Sequence, residues 1–261
     1  MAFVVDSTTE RLVKSDERVR DLGEVFTPNA TVQEMLDLLP TKMWAIHPSP
    51  TFLEPACGDG NFLVAILDRK LERIAKDYAK RKLPAGATSE AGQFHALEAL
   101  ASIYAVDISI ENVQGGTPGH EIGARTRLLT MFSEWNSTVL SKRLIERSLV
   151  LHAAEWIVEH NVIVGNMLPR DVDGKPTGRG QIPLIEYAFD PAIQTVEMHQ
   201  TTMGDVLDTE EMRSSSMLSL FGPAAPTFLW RGRAVNLSDA VRVEAPNLRG
   251  PARNGLPRTR R

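Results

Sequence analysis

The sequence predicts an α/β fold: a central, mostly parallel sheet with helices on both faces and an antiparallel hairpin at its edge. Three observations predict it. The stretch Thr51–Leu67 reads as a short buried strand, a glycine-containing turn, and a helix from Asn61 with Phe62, Leu63, Ile66 and Leu67 at helical spacing. A second compact apolar run, Ile103 to Asp107, ends in a carboxylate. A third, Asn161 to Pro169, runs into a turn and is followed by two alternating runs, Ile182 to Phe189 and Ile193 to Met198, separated by Asp190-Pro191-Ala192. The two alternating runs read as a hairpin.

The remaining elements follow in order. Residues 1–22 form a charged N-terminal arm, and Gly23 to Pro28 a loop. Pro28 pushes Thr27 out of the helical region. Thr31 to Leu39 is predicted helical, with Val32, Met35, Leu36 and Leu39 on one face, and Pro40 stops it. Asp68 to Lys82 continues the helix of the glycine turn, with Lys70, Arg73, Lys76, Lys80, Arg81 and Lys82 read as a solvated basic face. Phe94 to Leu100 is a short helix. Gln114 to Ala124, containing Gly115, Gly116, Pro118 and Gly119, is a loop. Arg125 to Trp135 and Leu140 to His160 are predicted helical. The main domain spans 23–222, and 223–261 is a Pro- and Arg-rich tail without periodicity, read as disordered.

Composition narrows the classes. A chain of 261 residues with 43% hydrophobic and 24% charged residues has the make-up of an ordinary globular protein with a sizeable core. Its formal net charge of −4 gives no global attraction to nucleic acid, so any such contact must come from local basic patches such as the arginine tail. One cysteine permits no intrachain disulfide and fits a reducing, cytoplasmic setting. No apolar run approaches the roughly 20 residues of a membrane span, and neither cysteines nor histidines cluster as a metal module requires.

Gly58 and Gly60 allow a tight bend and close approach of a ligand to the backbone, while the following helix turns its free N–H groups toward whatever lies over the bend. Glu54-Pro55-Ala56-Cys57-Gly58-Asp59-Gly60-Asn61-Phe62 resembles motif I of the class I S-adenosylmethionine (SAM) methyltransferases, in the form found in N6-adenine DNA methylases. Upstream, Gly23-Glu24-Val25-Phe26-Thr27-Pro28 resembles that family's motif X. The resemblance implies a Rossmann-like fold, SAM as cofactor, DNA as substrate, and a specificity or restriction subunit as a possible partner. It places Phe26, Thr27 and Pro28 at the methionine end of SAM, and Glu54, Pro55, Ala56, Gly58, Gly60, Asn61 and Phe62 around it. Asp107 and Ile108 match motif II, with the Asp107 carboxylate accepting from both ribose hydroxyls.

The family's acceptor motif, Asn/Asp-Pro-Pro-Tyr/Phe, is missing. There the polar side chain and a proline carbonyl take the hydrogens of the target amine, and the ring stacks on a base flipped from the duplex. Two partial substitutes exist. Asp190-Pro191-Ala192 has the acid and one proline but no aromatic residue. Asn166 and Met167 follow the third strand, with Pro169 beyond. They read either as motif III, with Asn166 bonding the adenine of SAM, or as a degenerate catalytic motif with Asn166 catalytic. Glu111-Asn112-Val113 also occurs in cytosine-C5 methyltransferases. Those enzymes need a Pro-Cys nucleophile, and Cys57 follows Ala56, so that reading is rejected. A methylase-like subunit without activity and a methyltransferase for RNA or protein are the alternatives.

Overall fold

The structure, a computed structural model, describes residues 27–84, 86–117, 121–146, 148–168 and 182–203, with the backbone of 230–231. The N-terminal arm, Phe26, Pro169 and, apart from the backbone of 230–231, all of 204–261 lie outside these residues.

The chain begins with α1, Asn29–Asp37, which starts one residue after Pro28 and buries Val32 and Leu36. Leu39 packs on the core as expected, but Met35 is half exposed. A 3-10 turn, Thr41–Trp44, leads to β1, Phe52–Glu54. The glycine turn feeds α2, Asn61–Ala79, a single helix of 19 residues. Its buried stripe of Leu63, Ile66, Leu67, Lys70, Leu71 and Ile74 follows the 3.6-residue period. Lys70 therefore lies inside the protein, not on the solvated basic face.

The next helix, α3, Ser89–Ala101, starts earlier than the sequence suggested because Thr88 caps it, accepting from the Ala91 amide at 3.1 Å. Its alanines let it be enclosed on nearly every side. β2, Ile103–Asp107, follows at once. The short α4, Ile110–Gln114, and α5, Ala124–Val139, come next. The helix expected from Leu140 begins only at α6, Leu149–Asn161. Ser141 has φ +55°, which ends helical geometry, and Ser148 caps the new start by accepting from Leu151 N. β3, Val162–Val164, closes the series.

β1, β2 and β3 form a parallel sheet in that order, with Phe52 opposite Ile103 and Ala105 opposite Val162. Successive strand residues face opposite sides. Phe52, Ile103, Ala105 and Val162 therefore point one way, into the main core with α2, α3, α5 and α6. Val106 and Ile163 point the other way, into a smaller cluster with Ile182, Leu184 and Met203.

The open end of a hairpin, with Ile182, Leu184 and Met203, packs on that second face, while its Ile185, Val196 and Met198 join the main core; among the described residues this takes the place of the helices expected on that face, and the hairpin does not lie at the edge of the parallel sheet. β4, Pro183–Asp190, and β5, Thr195–Thr202, pair with each other, and β5 pairs with β6, Trp230–Arg231, in a separate antiparallel sheet. The Tyr104 hydroxyl donates to Ile185 O at 2.7 Å, and Tyr187 donates to Asn161 Oδ1 at 3.1 Å. These bonds fasten the hairpin to β2 and to the end of α6. Among the described residues, no helix is long and apolar enough to cross a membrane, and no group of three or more His, Cys, Asp or Glu could hold a metal ion.

Candidate functional site

The glycine turn sits where β1 ends and α2 begins. Gly58 has φ +55° and Gly60 φ +96°, conformations that strain a side-chain-bearing residue. Space is also short at Gly60, where an added Cβ would stand 3.0 Å from the Ala124 Cβ. Gly60 caps α2 with backbone alone, and among the described residues no side chain makes a cap hydrogen bond there. The positive end of a 19-residue helix thus opens beside the turn.

The parallel register brings the ends of the three strands together. Cys57 N donates to Val106 O at 3.1 Å, Gly165 N to Asp107 O at 2.8 Å, and Gly58 N to Asp107 Oδ2 at 2.8 Å. Asp107 Oδ1 accepts from Ser109 N at 2.8 Å and Asn112 Nδ2 at 3.2 Å. A carboxylate has about four acceptor positions, so three protein donors leave one, on Oδ2. A grip on both ribose hydroxyls does not fit this arrangement; one further hydrogen bond does. Asp107 is first a latch that holds the turn to β2.

The motif X-like segment reaches the same place. Asn61 Nδ2 donates to Thr27 O at 3.1 Å, which brings Thr27 and Pro28 against the start of α2. Asn61 Oδ1 in turn accepts from Arg127 Nη1 at 2.9 Å. That guanidinium also donates to Asp59 O at 3.0 Å and lies 3.0 Å from Asp59 Oδ1, an ion pair without the alignment of a hydrogen bond. Arg127 is the residue that sequence reasoning missed. Its only signal is a cation in the first turn of α5, too common to single out.

The site is acidic. Burial, then the neighbouring Asp107 charge, pushes the Glu54 carboxyl upward, opposed by its bond from Ala56 N. Cys57 is buried, and burial together with the Asp107 and Glu54 charges drives its thiol far above the ordinary range. A thiol held protonated is no nucleophile, which agrees with rejecting the cytosine-C5 reading. Ile108 and Leu168, just past β2 and β3, are 59% and 70% exposed, an apolar fringe at the strand ends. Pro55 and Ala56 are exposed on the turn, and Phe62 packs partly into the core.

Asn166 is exposed, and its Oδ1 accepts from Leu168 N at 2.9 Å within its own turn. Met167 packs on the smaller cluster. Asp190 is elsewhere: it receives Ala192 N at 2.9 Å in the hairpin turn, and Phe189 beside it lines a cavity at the opposite ends of the strands. The Asp190-Pro191-Ala192 segment is therefore no part of this site. The structure brings together Thr27, Pro28, Glu54, Gly58, Gly60, Asn61 and Asp107, with Ile108 and Asn166 at the ends of adjoining strands.

Compared with known proteins, the chain matches no family model, no curated protein and no solved structure.

Proposed function

We propose that the chain binds SAM over the glycine turn and is a methyltransferase of the adenine-directed DNA methylase type. The observation that carries this reading is the convergence of Gly58, Asp107 and the Asn61–Thr27 bond at the ends of adjacent parallel strands. Such strand ends are where α/β sheets take nucleotide-like ligands.

The residues present fit the donor. Its sulfonium and ammonium charges suit a site floored by Glu54, Asp59 and Asp107, and its carboxylate suits the uncapped start of α2. Asp107 Oδ2 has one acceptor position for a ribose hydroxyl, and Ile108 offers an apolar surface to the adenine. Ribose and adenine are joined, so a ribose at the end of β2 sets the base toward one neighbouring strand and the methyl toward the other. Asn166, beyond β3, suits the adenine side, which favours its motif III reading over the catalytic one. SAM supplies a methyl group on a positively charged sulfur. The chain's part is to orient it against the acceptor amine and to keep water out.

A second reading has its own support. Among the described residues near the turn, no Asn or Asp is followed by the prolines and aromatic ring that an adenine amine requires. A SAM-binding subunit that relies on a partner for the acceptor site, or a transferase for RNA or protein, accounts for that. Calorimetry with SAM tests the common core: micromolar to millimolar binding, weakened by Asp107→Ala and Gly58→Val, is expected, and no heat of binding overturns it. Labelled methyl transfer to duplex DNA, RNA and protein then separates the readings. Transfer to none of them despite SAM binding supports the subunit.

A further inference from the structure

The N-terminal ends of the same strands carry a second polar constellation. Ser102 directly precedes β2 and Asp107 ends it, so the two ends lie roughly 17 Å apart at about 3.3 Å per residue. A cavity of about 400 Å³ opens there, lined by His47, Ser49, Glu98, Ser102, Tyr104 and Tyr187 among others. That volume falls in the range of small-molecule sites.

Lys70 lies behind Ser49 and is 2% exposed. Its Nζ is 2.7 Å from Ser49 Oγ and 2.7 Å from Pro50 O, and it stands 5.0 Å from the centre of the Phe52 ring. The carbonyl and the ring fix the amine, and the third direction points at the hydroxyl. Ser49 is half buried on the cavity wall, with Ser102 Oγ 3.3 Å away. Glu98 anchors the loop by accepting from Ser49 N at 3.0 Å, while His47 Nδ1 and His95 Nδ1 lie 2.8 Å and 3.2 Å from its oxygens.

We propose that Ser49 and Lys70 form a nucleophile–base pair, a second site that cleaves small uncharged carboxylic esters held against Tyr104 and Tyr187. A hydroxyl within hydrogen-bond reach of a base that a third group orients is the arrangement acyl transfer needs. Burial holds the Lys70 ammonium down to about 7 against the pull of Glu98, so an uncharged amine is present at neutral pH. The Ser49 oxygen bonds to the ester carbonyl carbon as its proton passes to Lys70. The bond to the alcohol oxygen then breaks, and the alcohol leaves with that proton. Water repeats the two steps on the acyl-serine, releasing the acid and restoring Ser49. No oxidant, metal or cofactor enters, and the site is independent of the donor site at the other ends of the strands.

The test is covalent labelling of the full chain with a fluorophosphonate, read by peptide mass, beside hydrolysis of p-nitrophenyl butyrate. Labelling at Ser49 is expected, absent in Ser49→Ala and at least tenfold slower in Lys70→Met, with hydrolysis following. Labelling of the unmodified chain should rise as pH passes about 7. Glu98, His47 and His95 face the same network, so His47→Gln must retain that rise. A folded protein that stays unlabelled at Ser49, or labels equally fast with Lys70→Met, overturns the proposal. If Lys70→Met does not fold, a labelling rate flat from pH 6 to 9 overturns it instead.

Discussion

The Gly58 amide donates to Asp107 Oδ2 at 2.8 Å, although the two residues stand 49 positions apart in the chain. That bond makes the glycine turn and the end of β2 one mechanical unit. Asp107→Ala leaves three donors without their acceptor. We expect a loss of about 1–3 kcal/mol in unfolding free energy, measured by urea denaturation, together with loss of SAM binding. Asp107→Asn keeps one acceptor oxygen and should lose less of both.

Arg127 ties Asp59 and Asn61 together without belonging to the turn. Hydrogen bonds to charged groups contribute about 1.5–3 kcal/mol. If the turn must be held rigid for its ligand, Arg127→Ala should weaken SAM binding by about tenfold or more in calorimetry. Unchanged affinity would show that the turn is stable without the clamp.

Gly60 and Gly86 have almost the same φ, +96° and +97°, but differ in surroundings. A Cβ at Gly60 meets Ala124, whereas one at Gly86 meets nothing within 4 Å. Gly86→Ala should cost only the left-handed backbone strain of about 1–2 kcal/mol. Gly60→Ala should cost more, because α2 and α5 must also move apart. Chemical denaturation of the two variants reads the packing share directly.

The buried Lys70 makes stability depend on alkaline pH. Its folded value of about 7 lies below the ordinary 10.5, so between those values the unfolded chain holds a proton that the folded chain lacks. Stability from this group therefore rises with pH across that window, by at most about 1.4 kcal/mol per unit, and is flat outside it. Lys70→Met should abolish this rise in a urea-denaturation series from pH 7 to 10. An identical pH slope in the variant would contradict it.

Cys57 is buried and its thiol is held protonated. Ellman's reagent should leave it unmodified in the native protein and react fully in denaturant. Fast native reaction would mean that the turn opens, and with it the latch to Asp107.

Much of the local structure was legible in the residues. The glycine turn, α2 from Asn61, and β2 from Ile103 to Asp107 lie where spacing and turn chemistry put them. The helix expected from Leu140 has a local reason to start late: Leu144 and Ile145 suggest helical spacing, but Ser141 leaves helical geometry and Ser148 caps a new helix. Lys70 falls on the apolar stripe of α2 although its charge suggests a solvated face, and inside the protein it finds Ser49 Oγ and Pro50 O as partners.

The sequence alone determined the α/β class, the places of the three strands, the hairpin, and the glycine turn that starts the longest helix described here, since each depends on periodicity and backbone preference within a few residues; the burial expected of β1 is not found, because Leu53 is 43% exposed and its two neighbours are half-buried. Tertiary structure alone decided that Asp107 latches Gly58, that Asn61 draws in Thr27, that Arg127 clamps the turn, and that the hairpin forms a sheet of its own packed on the core. Those are hydrogen bonds and packing between segments far apart in the chain. Their partners become neighbours only when the parallel strands align, which no local pattern records.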